Sequence, residues 1–190
     1  ALEMLSSPES DAELLAGIRR DLDSINRMIG QFLEIGRELE SGPGETTDLN
    51  TLLNDVIGQF VDQDIRFHCD SCSGCGRVSY GLALRRVISN LLENALRYGE
   101  GSAPELFCRR LDKEITIVVA DRGPGIPESE REAVFRPFHR LDHSRSGETG
   151  GSGLGLAVVR QLVDGHGWQV KIMNREGGGA QVCVTLPATE

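Results

Sequence analysis

A run of mainly β-branched residues, Ile115-Thr116-Ile117-Val118-Val119-Ala120, stops at Asp121-Arg122-Gly123-Pro124-Gly125. The run reads as a buried strand, because four to eight such residues bounded by turn formers suit a half- or fully covered sheet. A carboxylate therefore stands where a central strand ends, ahead of two glycines spaced by one residue. Glycine has no Cβ, so the backbone at Gly123 and Gly125 can approach a ligand or another segment closely. An ionised Asp121 only accepts hydrogen bonds. In a pocket it suits an exocyclic amine, such as that of adenine. In isolation the same residues describe a Gly-Pro turn with a solvated carboxylate, so the rest of the chain has to decide.

Two other stretches are compatible with a phosphate-bearing ligand. From about Leu82 to Tyr98, Leu84, Val87, Ile88, Leu91, Leu92 and Ala95 form an apolar stripe at helical spacing. Arg86, Asn90, Asn94 and Arg97 occupy a second face at steps of three and four. Asparagine is a mediocre helix former, so two of them one turn apart call for a reason. A side-chain amide can ligate Mg²⁺ through its oxygen and donate to phosphate through its NH₂, without adding negative charge. Further on, Gly150-Gly151-Ser152-Gly153-Leu154-Gly155-Leu156 runs into a helix carrying Val159, Leu162 and Val163. A glycine-rich loop at a helix N-terminus offers backbone N–H groups and a positive dipole end to an anion.

The remaining segments frame these motifs. Asp48 is placed to cap a helix with Leu52, Leu53, Val56, Ile57 and Phe60. Ile65 to Cys69 alternates like a strand, and Val170 to Asn174 and Ala180 to Leu186 form a hairpin around Gly177-Gly178-Gly179. Residues 141–149 are polar and read as a loop. The net charge of −9 over 190 residues argues against a nucleic-acid backbone as partner. No apolar stretch reaches the length of a membrane span.

Asn90-x-x-x-Asn94, Asp121-x-Gly123-x-Gly125, Phe135-x-Pro137-Phe138 and Gly151-x-Gly153-x-Gly155 stand in a fixed order. Together they resemble the N, G1, F and G2 boxes of the catalytic ATP-binding domain of bacterial sensor histidine kinases, over roughly residues 45–187. The resemblance implies an α+β fold: a two-layer sandwich with a mixed sheet of about five strands and three helices. It implies ATP and Mg²⁺ as cofactors. Asn94 would ligate the metal, Asn90 and Arg97 would approach the phosphates, and Tyr98 would lie against the nucleotide. Asp121 would hold the adenine amine, with Gly123, Gly125 and Ile126 beside it. Residues 126–150 would form a lid anchored by Phe135 and Phe138 and including Arg140. Gly151, Ser152, Gly153, Leu154, Gly155 and Leu156 would wrap the triphosphate. Catalysis is then expected of Asn90, Asn94 and Arg97.

Residues 1–40 are similar to the end of the family's dimerisation hairpin, with Ser41 to Gly44 as linker and residues 45–190 as catalytic domain. Leu15, Ile18, Leu22, Ile25, Ile29 and Phe32 form a short heptad seam, which predicts a homodimer. None of His68, His139, His143 and His166 has the context of the family's phosphoacceptor box. The chain is therefore expected to be part of a larger, membrane-anchored kinase facing the cytoplasm, with a response-regulator receiver domain as partner. The alternatives are a non-catalytic ATP-sensing or dimerisation module, or an ATPase of the related gyrase, chaperone and mismatch-repair group. Those ATPases resemble one another in carrying Glu where this chain has Asn90, as general base.

One motif stands apart. Cys69-x-x-Cys72-x-x-Cys75 has a spacing resembling metal or iron–sulfur ligation, but His68 or Cys108 would have to complete a site. Five cysteines without a secretory signal point instead to unpaired thiols in a reducing compartment and to a chain that purifies without stoichiometric metal.

Overall fold

The computed structural model describes Leu15, Gly17, Arg19, Gly30, Gly36, Gly44 and residues 46–69, 75–141 and 152–189. The chain divides into two units, Ala1–Arg37 and Glu38–Glu190. In the first, the five described residues are helical and Leu15 is 62% exposed. The other seam positions, Ile18, Leu22, Ile25, Ile29 and Phe32, lie outside the described residues, as do Cys72, residues 142–150 and Gly151.

The second unit has the expected two layers. Strand β1 (Thr47–Asp48) leads into helix α1 (Leu49–Ile57), where Asp48 Oδ1 accepts the Thr51 N–H at 2.9 Å, as an N-cap should. Strands β2 (Arg66–Cys69) and β3 (Arg77–Val78) follow, then helix α2 (Gly81–Tyr98). Strands β4 (Glu105–Leu111) and β5 (Glu114–Ala120) form a hairpin, with Asp112 at φ 53° in its turn. Two short 3₁₀ turns, Glu128–Glu130 and Ala133–Phe135, precede helix α3 (Gly155–Gly165) and the closing hairpin of β6 (Gln169–Asn174) and β7 (Ala180–Pro187). The main sheet has the order β2-β4-β5-β7-β6, parallel only between β2 and β4, and β1 and β3 make a separate pair. A mixed five-stranded sheet with three described α-helices matches the expectation.

Alternation along the strands sorts the two faces. Leu106, Cys108, Ile115, Ile117, Val119, Val184 and Leu186 are buried, while Phe107, Thr116, Val118 and Cys183 are half-buried on the other face. The helices bury Leu52, Leu53 and Val56 from α1, Leu84, Val87, Ile88, Leu91 and Leu92 from α2, and Val159, Leu162 and Val163 from α3. Each fully buried aliphatic side chain contributes about 1.5–3 kcal/mol.

Two differences from expectation stand out. Strand β4 has no alternation over its second half, where Arg109, Arg110 and Leu111 are all exposed, so its sequence does not announce a strand. The cysteine expectation is also corrected: Cys75 and Cys108 are joined by a disulfide across 33 residues. The parallel pairing of β2 with β4 sets Cys69 opposite Cys108, and Cys75 lies at the same place.

Packing of the two long helices is antiparallel at its outer end. Tyr80, just ahead of α2, lies 4.6 Å from the His166 ring just after α3, and His166 lies 5.1 Å from Trp168. Burial holds His166 below its ordinary value of 6.5. The unfolded chain therefore takes up a proton at a pH where the folded chain does not. The stability owed to neutral His166 is complete above pH 6.5 and is lost as pH falls from there through the lower folded value. Denaturant unfolding at about pH 7.5 and about pH 5.5 should show this acid-side loss in the parent and a smaller one in His166→Phe.

Candidate functional site

The site forms where the ends of β5, α2, α3 and the β6–β7 hairpin meet. Asp121 Oδ1 accepts the backbone N–H of Gly123 at 2.9 Å and of Ala180 at 3.1 Å. The Asp121 N–H donates to the Ala180 carbonyl at 3.0 Å. One carboxylate oxygen is thus fixed by two segments, and Oδ2 has no hydrogen-bond partner among the described residues. This is the geometry of an aimed acceptor, oriented by its neighbours and open on one side.

The glycines around it are close-approach positions. A Cβ on Gly123 would overlap the Tyr98 carbonyl at the end of α2. A Cβ on Gly179, where φ is +100°, would overlap the Asp121 carbonyl. Gly125 has φ +76° and faces the Gly179 carbonyl and Asn174 Oδ1, and Asn174 Oδ1 also accepts the Ile126 N–H at 3.1 Å. The hairpin is held down by Arg175, which reaches Glu105 Oε2 at 2.6 Å, with Arg122 at 3.8 Å from the same carboxylate. The hydrogen bond from Arg175 is the main cause that keeps the Glu105 carboxyl below its ordinary range.

On the other side of the site, Asn90 and Asn94 point from α2 toward the start of α3. A Cβ on Gly155 would lie 3.2 Å from Asn90 Oδ1 and 3.4 Å from Asn94 Nδ2. Asn90 Nδ2 donates to the Arg86 carbonyl at 2.8 Å. The Asn94 Nδ2 atom is buried with no hydrogen-bond partner among the described residues. A half-turn of the amide exchanges nitrogen for oxygen there, so the same spot can present a donor to phosphate or an acceptor to a cation. Among the described residues no side chain caps α3, whose N-cap is Leu154. Its first-turn N–H groups and dipole end are thus left for an anion.

The predicted site residues distribute as follows. Asn90, Asn94, Gly153, Gly155, Asp121, Gly123, Gly125 and Ile126 take part in the contacts just described or sit beside them. Tyr98 is half-buried and Arg97 is exposed in the last turn of α2. Leu154 is buried, Leu156 and Arg140 are half-buried, and Ser152 is exposed. Phe135 is buried, with the Arg160 guanidinium 4.5 Å from its ring centre. Phe138, expected to anchor the lid, is 58% exposed. It is tied through its backbone instead, its N–H donating to the Gly153 carbonyl at 3.0 Å, with φ at 65°. The sequence reading missed Asn174, Arg175 and Ala180. Asn174 directly before the triple-glycine turn was the available signal, but it reads equally as an ordinary turn residue.

Fold and site together define a class. Residues 80–190 match the family described as histidine kinase-, DNA gyrase B- and HSP90-like ATPases, and the chain belongs to that family. It is homologous to sensor histidine kinases. It is 31% identical over 176 residues to the sensor-like histidine kinase SenX3 of Mycobacterium tuberculosis, covering 88% of this chain and 43% of that protein. It is 34% identical over 178 residues to the sensor histidine kinase GtrS of Pseudomonas aeruginosa, covering 93% and 36%. The chain thus spans about two fifths of the length of these relatives. Among solved structures, the catalytic domain of histidine kinase ThkA superposes with a TM-score of 0.66 at 27% identity, over 76% of this chain and 95% of that one.

Gly155→Ala tests the contact between α2 and α3. The added methyl fills the space in front of Asn90 and Asn94, whereas alanine suits a helix at least as well as glycine. Stability in denaturant should change by less than about 1 kcal/mol. ATP affinity measured by calorimetry should fall by about tenfold or more, a cost of roughly 1.4 kcal/mol.

Proposed function

We propose that this chain is the ATP-binding catalytic part of a sensor histidine kinase. It presents the γ-phosphoryl of Mg-ATP to a histidine on a dimerisation hairpin, for relay to an aspartate of a response-regulator receiver domain. The observation that carries this reading is the uncapped start of α3 set against Asn90 and Asn94, with the unpartnered Asn94 amide between them.

The chemistry follows from the donors present. Asp121 Oδ2 accepts from the adenine amine, while Oδ1 stays tied to Gly123 and Ala180 and fixes the orientation. The N–H groups at the start of α3 receive the phosphates. Asn94 would hold Mg²⁺ through its amide oxygen, and its buried unpartnered amide fits that role. The ion would neutralise phosphate charge. Asn90 stands where the related ATPases carry a glutamate. It is neutral and directs its NH₂ to its own helix, so it does not act as a base on water. A neutral imidazole is already a nucleophile and needs none. Phosphoryl transfer depends on positioning and charge more than on covalent help from the protein.

The wider setting belongs to the same proposal. ThkA has been solved in complex with the response regulator TrrA, with a TM-score of 0.69 to this chain at 23% identity. This chain is assigned a receiver domain of that kind as partner. Homodimerisation is assigned to residues 1–40, which carry the heptad seam. No described helix is long and apolar enough to cross a membrane. Membrane anchoring is assigned to the parent kinase outside this chain, with the catalytic part on the cytoplasmic side.

Calorimetric titration with ATP, with and without Mg²⁺, tests the site. Asp121→Asn replaces an acceptor with a group that can turn a donor toward the adenine amine, and should weaken binding by about tenfold or more. Asn94→Ala should lose the Mg²⁺-dependent part of the affinity. Parent-like binding by both variants would remove these residues from the nucleotide site.

A further inference from the structure

The nucleotide site lies at one end of the sheet. A separate cluster of sulfurs joins β2, β4 and the segment that leads into β3 and α2. Cys69 Sγ lies 2.9 Å from Cys75 Sγ, Cys75 is bonded to Cys108, and all three sulfurs lie within 4.8 Å of one another. Cys75 and Cys108 are fully buried, and Cys69 is half-buried at the sheet edge. The fold also decides which residue joins the Cys69 and Cys75 pair. Cys108 comes in through the parallel register of β2 with β4. His68 points to the opposite face and stacks on Phe107 at 5.3 Å.

We propose that Cys69, Cys75 and Cys108 form a binding site for a thiophilic divalent cation of the zinc class. A disulfide occupies two of the three sulfurs and leaves the third pressed against it. A cation uses all three. Zinc–sulfur bonds of about 2.3 Å in a tetrahedral shell put neighbouring sulfurs about 3.8 Å apart, within the spread seen here. The site forms in the reduced chain. A cellular dithiol reduces the Cys75–Cys108 bond and becomes a disulfide itself, leaving two thiols beside that of Cys69. The three thiols lose three protons to solvent as the cation binds. Three thiolates around a divalent cation carry one excess negative charge. The Arg110 guanidinium lies against Gly76, beside Cys75, where it offers compensating charge. A fourth position remains for a further donor.

The site's consequence is mechanical. Gly76 accepts the Leu49 N–H at 2.9 Å, and Arg77 forms β3 with β1. A bound cation therefore fixes the edge strand β2, its inner neighbour β4 and the entry to α2 to one point. Stable closure of this point supports the helix that carries Asn90 and Asn94.

The test uses the whole chain, kept reduced with a phosphine and freed of metal, and titrated with Co²⁺ as a spectroscopic probe. One equivalent should produce the near-ultraviolet sulfur-to-cobalt charge-transfer bands of a thiolate site, and Zn²⁺ should abolish them by displacement. Cys69→Ser alters the half-buried position, so it keeps the fold where Cys108→Ser risks losing it. It should weaken Co²⁺ binding by more than the roughly tenfold that loss of an outer-shell partner costs. Cys183→Ser, on the opposite face, should bind as the parent does. Absence of the bands in the reduced parent would overturn the proposal. So would equal bands in Cys69→Ser, or a Cys75–Cys108 disulfide that survives the phosphine.

Discussion

The arrangement depends on one carboxylate oxygen shared by two backbone amides. Asp121 Oδ1 binds the N–H groups of Gly123 and Ala180, which belong to a loop and to a strand 59 residues away. Hydrogen bonds to a charged acceptor are worth about 1.5–3 kcal/mol each. This pair fixes the central strand end, the glycine loop and the closing hairpin to one another. It also decides which oxygen is bound to the protein and which has no partner among the described residues. The glycines follow from the same contact. Gly179 and Gly123 are bare because the Asp121 and Tyr98 carbonyls occupy the space that a Cβ would need.

The second half of the site rests on helix packing. Apolar stripes on α2 and α3 bring the helices together, and the aromatic contact of Tyr80 with His166 and Trp168 sets one end. At the other end Gly155 lets α3 begin directly on the two asparagine amides. The proposed anion site lies where these two helices meet, one without a side-chain cap among the described residues and the other carrying neutral polar side chains. Replacing either asparagine by a carboxylate would put negative charge against phosphate. In the proposed function, the neutrality of Asn90 and Asn94 therefore bears on both the ligand and the reaction class.

Much of this could be read in the sequence because the relevant signals are local. The β5 run, the α2 stripe with its asparagines, and the glycine loop entering α3 each occupy one continuous stretch, and each folds as its periodicity and turn chemistry dictate. What was missed is non-local or carries two signals at once. Strand β4 begins apolar and ends in exposed arginines, so neither period wins. Phe138 is exposed and is held through its backbone, with φ 65° and an N–H bond to the Gly153 carbonyl. Asn174, Arg175 and Glu105 meet only because β6, β7 and β4 share a sheet. Cys108 reaches Cys75 through strand register, which no spacing within residues 69–75 could reveal.

In the proposed function, a neutral Asn90 beside an uncapped helix directs the phosphoryl group to an imidazole and not to water. The direct measurement supplies this chain with γ-labelled Mg-ATP and a separate dimerisation hairpin that carries an acceptor histidine. The label is followed on both polypeptides and as inorganic phosphate. The expected product is an acid-labile, base-stable phosphoryl group on the hairpin, formed at a low rate because the two pieces are untethered, with none on this chain. Release of inorganic phosphate without labelled hairpin would contradict it, as would stable label on His68, His139, His143 or His166.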